Sequence, residues 1–275
     1  MKNKKILNIT GYGMLGAVSQ RRYSKKIMLL LATCCALSMS SLQSLAAEKP
    51  NIEQNSQEFA VKLGATRVIY APSSMGQTLS VSNPLDYPML IQSRVYGEDM
   101  KSKAPFVVTP PLFRLDGQQQ SNLRIIRTGG DFAKDRESLQ WLCIKGLPPK
   151  EGDLWNNKKG KIESHKVVSL NLQVSIDSCI KLFVRPESIK GHPEDVASSL
   201  SWSQQDTNLK AMNNTPFYMN LASLKVGNVN ISNVHYIPPF SSYTFHLPKG
   251  VSGMVSWSIV TDYGGVSDIY HKSIN

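Results

Sequence analysis

Long apolar runs are missing from this 275-residue chain. Its apolar run Ile27 to Leu37 is about half the roughly 20 residues a bilayer-spanning helix needs, so no stable membrane anchor is expected. Acidic residues are absent from residues 1–46, which hold seven Lys or Arg. Cysteine is scarce, with only Cys34, Cys35, Cys143 and Cys179. Histidine is also scarce, and His165, His192, His235, His246 and His271 show no metal-ligand spacing. Neither a G-x-S-x-G nor an H-E-x-x-H motif occurs, and no acidic pair has a distinctive context. No long helical period appears. These absences leave no sign of an enzyme, a metal or a cofactor.

The first 46 residues read as a secretory signal. A basic segment ends at Lys26, the apolar run follows, and Ser44-Leu45-Ala46 has the small-x-small form of a cleavage site. A start at Met14 keeps Arg21, Arg22, Lys25 and Lys26. Gly11-Tyr-Gly-Met-Leu-Gly16 fits a dinucleotide fingerprint, but no strand precedes it and it lies in the segment to be removed. Of 31 basic and 20 acidic residues, removal of the seven leaves 24 against 20, a net +4. That balance is too mild to argue for nucleic-acid binding. Cys34 and Cys35 leave with the signal, and an even pair in an exported protein is most simply a disulfide, Cys143 to Cys179.

The remainder reads as β throughout: short alternating or β-branched runs separated by turn residues. The runs are 66–70, 78–83, 89–96, 112–115, 122–128, 139–145 and 167–184, followed after Pro186 by 200–203, 209–212, 218–225, 228–231, 243–247, 254–260 and 269–272. Two β-sandwiches are expected, in residues 47–185 and 186–275. The segment 146–165, rich in Pro, Gly, Lys and Asn, is expected to be a long loop whose base the disulfide pins between adjacent strands.

One stretch stands out. Val168, Leu170, Leu172, Val174 and Ile176 alternate with Ser169, Asn171, Gln173 and Ser175, giving one apolar row on an extended strand. Either the protein's own core or a partner must cover it. Arg67 and Lys181 lie in apolar runs, and Arg185 follows just after the second. A cation buried there requires a partner, whereas one on an edge strand faces solvent. Glu137 and Asp262 are available acids within the chain.

The segment Phe132-Ala-Lys-Asp-Arg-Glu-Ser-Leu-Gln-Trp-Leu-Cys-Ile-Lys-Gly-Leu-Pro148 resembles the signature of the periplasmic pilus chaperones of the chaperone–usher pathway. Thr66-Arg-Val-Ile-Tyr70, Thr109-Pro-Pro-Leu-Phe-Arg-Leu115, Ile180-Lys-Leu-Phe-Val-Arg-Pro186 and Asp262-Tyr-Gly-Gly265 resemble that family in the same order. The cysteine pair, the long loop and the extended segment 47–64 resemble its long-loop members, which serve thin or capsule-like fibres.

The resemblance implies two immunoglobulin-like sandwiches arranged in an L, a periplasmic location, and no cofactor. Its implied partners are a fibre subunit and an outer-membrane usher. It implies that Arg67 and Lys181 grip the subunit's C-terminal carboxylate, and that Val168, Leu170, Leu172, Val174 and Ile176 fill the gap in an incomplete subunit sandwich. It gives Glu137, Arg185 and Asp262 the role of an inter-domain charge cluster. The N-terminal segment around Phe59 and Val61 is expected to pair with the subunit on its other side, and the free chain to hide the apolar row by self-association.

Overall fold

The computed structural model describes residues 52–149 and 168–274. The expected signal segment 1–46 and most of the expected loop lie outside these. Eleven strands belong to the first part of the chain: β1 (Ile52–Phe59), β2 (Lys62–Leu63), β3 (Arg67–Tyr70), β4 (Gln77–Ser82), β5 (Met89–Tyr96), β6 (Phe106–Thr109), β7 (Leu112–Leu115), β8 (Gln120–Arg127), β9 (Ser138–Leu147), β10 (Val168–Ser175) and β11 (Asp177–Val184). One sheet runs β3-β11-β9-β5-β7 and the other β2-β4-β8-β6. Alternation drives their stacking: on β4, Leu79 and Val81 point inward, and on β5, Met89, Ile91 and Val95 do, all at most 5% exposed.

The second part holds a short helix α1 (Pro193–Val196), then β12 (Ser201–Gln205), β13 (Asn208–Asn213), β14 (Met219–Val226), β15 (Val229–Asn230), β16 (Tyr236–Ile237), β17 (Ser241–His246), β18 (Val255–Ile259) and β19 (Tyr270–Lys272). Sheets β12-β13-β17 and β15-β14-β18-β19 enclose a separate core around Leu209, Met219, Phe245 and Trp257. A third apolar cluster joins the two sandwiches. Leu139 and Phe183 from the first pack with Tyr218 from the second, flanked by Ile69, Trp141 and Tyr236.

Three details differ from the sequence reading. The expected strand 167–184 is two strands, broken at Ile176, whose N–H donates to the Phe59 carbonyl at 3.1 Å while its own carbonyl accepts from Gly146 at 3.2 Å. Gly146 is required there, because a Cβ would stand 2.5 Å from the Phe59 carbonyl oxygen. The N-terminal segment is already engaged in the chain itself. β1 pairs in parallel with β10, Ile52 opposite Val168 through Phe59 opposite Ser175, and Phe59 and Val61 are buried in the first core. The short strands β2, β6 and β16 have no counterpart among the expected runs.

Candidate functional site

The outer face of the five-stranded sheet carries the charged positions. β3 and β11 run parallel with Arg67 directly opposite Lys181, so the same face that holds Ile69 and Phe183 also brings two cations side by side. The second sandwich meets each with a neutral acceptor. Arg67 Nη1 donates to the Val260 carbonyl at 3.0 Å, and Lys181 Nζ donates to Asn220 Oδ1 at 2.5 Å. Arg67 Nε is buried with no partner. Among the described residues no carboxylate forms an ion pair with either cation. Two aromatic rings border the ammonium: Tyr236 at 4.8 Å and Trp141 at 5.8 Å from Nζ. Burial, and then the like charge of Arg67, hold the Lys181 amine down at about 8. Burial likewise lowers Arg67, with Asp262 and Glu137 opposing it from farther off. The arrangement is a half-buried dication lacking an anion, matched to a group with two acceptor oxygens.

Arg185 behaves oppositely, because its charge is fully answered. Its Nε and Nη2 reach Glu137 Oε1 at 2.7 Å each, and its Nη1 and Nη2 reach Asp262 Oδ2 and Oδ1 at 2.7 Å each. Glu137 Oε2 accepts the Tyr218 amide at 2.7 Å, and the Arg185 guanidinium lies 5.0 Å over the Phe217 ring. Glu137 is 3% exposed. Burial pushes its carboxyl up, while Arg185 and the Tyr218 amide pull it back only in part. For Asp262 burial also acts upward, but hydrogen bonds from Arg185 and His192 prevail and hold it below its ordinary value. His192 joins through Nδ1, 2.8 Å from Asp262 Oδ2. The sequence reading missed His192, since a lone histidine after a glycine carries no signal. The cluster therefore ties β9 and the end of β11 to the loop after β18. Close approach of that loop to the first sandwich needs Gly264 (φ +83°), where any Cβ would collide with Thr66.

The Cys143–Cys179 disulfide is formed between directly opposed residues of β9 and β11, with Cα atoms 4.0 Å apart. Asp177 lies beside it, but both sulfurs are consumed in the bond, so the group offers no thiolate to a metal.

Before Ile176, in β10, the chain stands outside the two sheets of the sandwich. β10 pairs only with β1, so its second edge is open among the described residues. Leu170 and Leu172 are 53% and 48% exposed, and Val174 and Ile176 are half-buried. The side chain of Val168 lies outside the described set. Apolar side chains on an open strand edge form a surface built for β-addition or prone to aggregation.

This geometry has counterparts. Residues 60–190 match the model described as "Pili and flagellar-assembly chaperone, PapD N-terminal domain" and residues 195–271 match "Pili assembly chaperone PapD, C-terminal domain". The chaperone protein AfaB of Escherichia coli is 58% identical over 198 residues, covering 72% of this chain and 80% of AfaB. The crystal structure of the E. coli chaperone DraB superposes with a TM-score of 0.71 at 52% identity, over 81% of this chain and 100% of DraB. The SafB chaperone, solved with the SafA pilin of Salmonella enterica, matches with a TM-score of 0.72 at 48% identity, over 80% of this chain and 99% of the matched one. The two sandwiches and their matches leave one assignment: the chain belongs to the PapD family of pilus-assembly chaperones.

Proposed function

We propose that this chain is an exported, non-enzymatic periplasmic chaperone that completes the fold of a fibre subunit by lending it β10 and then delivers the subunit to an outer-membrane usher. The observation that carries the reading is the half-exposed row Leu170, Leu172, Val174 and Ile176 on a strand with an open edge. An incomplete subunit sandwich supplies the missing cover, and the strand supplies the subunit's missing core. Full burial of a large apolar side chain contributes roughly 1.5–3 kcal/mol, and the exposed half of each leucine leaves about 1 kcal/mol to gain.

Arg67 and Lys181 anchor the subunit's terminal carboxylate, since they form an adjacent cation pair without an anion. Anchoring at a fixed point sets which donor residue meets which site along the groove, because a slip of one residue would turn the row to the wrong face. Glu137, Arg185 and Asp262 hold the two domains at a fixed angle, with domain boundaries after residues 46 and 185. The SafA–SafB complex, a pilin held by a chaperone similar to this chain, supports the same reading.

The test is capture. A candidate fibre subunit is co-expressed with wild type or Lys181→Ala, and the soluble subunit that co-purifies is measured. Wild type should hold the subunit and the folded variant should not. Equal capture by both would remove Lys181 from the anchor, and capture by neither would reject the chaperone reading for that subunit.

A further inference from the structure

Glu98, in the turn after β5, stands in no sequence motif discussed above. Each of its carboxylate oxygens accepts a phenol hydroxyl from the second sandwich: Oε1 from Tyr236 and Oε2 from Tyr218, both at 3.3 Å. Its backbone carbonyl accepts Trp141 Nε1 at 3.2 Å. One residue of the first sandwich thus gathers three aromatic side chains. Two of them, Tyr236 and Trp141, are the rings that border Lys181 Nζ. The third, Tyr218, packs edge-on against Tyr236 at 5.6 Å and tilted against Phe183 at 5.5 Å, closing the aromatic layer behind the lysine.

We infer that Glu98 is a positioning residue for the cation site: it latches Tyr236 and Tyr218 across the domain boundary and so holds two aromatic walls around Lys181. The inference rests on the reading of Lys181 as the carboxylate anchor, and it names what orders that anchor's side chain.

Three physical points carry it. Among the described residues Lys181 has one polar acceptor, Asn220 Oδ1, and a lysine has four rotatable bonds to lose, so side-chain order needs further support. Aromatic faces attract an ammonium without neutralising it, which leaves the full charge for an incoming carboxylate. A carboxylate placed directly on Lys181 would instead compete with the ligand. Glu98 forms no ion pair with Lys181 among the described residues; its oxygens accept the phenol hydroxyls instead. Those phenols stay donors: burial, and then the Glu98 charge, raise both tyrosines, so neither ionises in the working range. The latch meets the Arg185 cluster at Tyr218, whose hydroxyl serves Glu98 and whose backbone amide serves Glu137, so removing the hydroxyl leaves the cluster's bond in place. The hydroxyls join the β5–β6 turn to β16 and to the residue before β14, whereas Arg185 joins β11 to the loop after β18, so phenol-to-phenyl changes break the first without removing a bond of the second.

The experiment reads Lys181 in the free protein by NMR of 13C-lysine-labelled full-length chain, with its Cε–Hε signal assigned by its loss in Lys181→Ala. A lysine held against two rings shows an upfield ring-current displacement. The Tyr218→Phe/Tyr236→Phe double variant keeps both rings and the Glu98 charge and removes only the latch hydroxyls. Most of the upfield displacement should collapse in this variant and in Glu98→Ala. In Tyr236→Leu, which removes a ring, the Lys181 midpoint should fall below its wild-type value of about 8 by about half to one pH unit. Retention of the full displacement in the folded double variant would overturn the inference, as would an unmoved Lys181 signal in Glu98→Ala. This readout needs no subunit, so it can fail while capture still depends on Lys181, and capture can fail while the latch stands.

Discussion

Replacing Arg185 by Met removes a cation and leaves two carboxylates facing each other. The methionine keeps much of the aliphatic stem's volume over Phe217, so the loss is mainly electrostatic. Glu137 would keep one of its three bonds, the Tyr218 amide, and Asp262 would keep His192. Stranding a buried carboxylate in this way costs about 3–5 kcal/mol. That is a large share of the roughly 5–15 kcal/mol that holds a domain folded.

The penalty should depend on pH in a defined sense. Burial already raises Glu137 in the wild type, and loss of Arg185 raises it further. The folded state then binds a proton more tightly than the unfolded state does. The penalty is therefore largest above the raised value and is relieved as pH falls toward the ordinary carboxylate range. Urea unfolding at pH 7.5 and pH 5 reads this directly. The Glu137→Gln/Arg185→Met double variant should recover more than half of the single variant's loss at pH 7.5. A single variant that loses less than about 1 kcal/mol at both pH values would refute the reasoning, because a pair of that worth belongs to the surface.

Three further outcomes follow from the geometry. Leu172→Asp should leave the free chain's stability within about 0.5 kcal/mol, since the side chain is half-exposed already, yet should abolish subunit capture in co-purification. Affinity for the subunit, measured by calorimetry, should fall as pH rises through about 8, where Lys181 loses its charge, and Lys181→Ala should flatten that dependence. His192 is raised by its hydrogen bond to Asp262, so its contribution is complete below the ordinary histidine value and is lost as pH rises through the folded one. His192→Ala should therefore lower the melting temperature more at pH 6 than at pH 8, by an amount in keeping with well under 1 kcal/mol for so exposed a pair.

Much of this was legible in the chain. Period-two alternation located most strands to within two residues, because half-buried sheets impose it. The cysteine pair was readable because the two cysteines left outside the expected signal segment have one simple use. The apolar row was visible for the same reason it is exposed: it has the pattern of a core strand. What could not be read was long-range pairing. Nothing in Ile52–Phe59, which reads Ile-Glu-Gln-Asn-Ser-Gln-Glu-Phe, marks it as a strand, and it forms one through its contact with β10. The break at Ile176 depends on a carbonyl arriving from Phe59. Asn220, Tyr236 and Glu98 are ordinary residues in sequence and gain their roles only where the two sandwiches meet.

The central claim is that β10 becomes a strand of the subunit. Residue-resolved amide exchange over 168–176, in the free chain and in the purified subunit complex, tests it most directly. The account predicts strong new protection at the alternate β10 amides not bonded to β1, with Leu170 and Leu172 side-chain signals moving to buried values. Unchanged exchange along β10 in a stable complex would contradict it and place the subunit elsewhere on the chain.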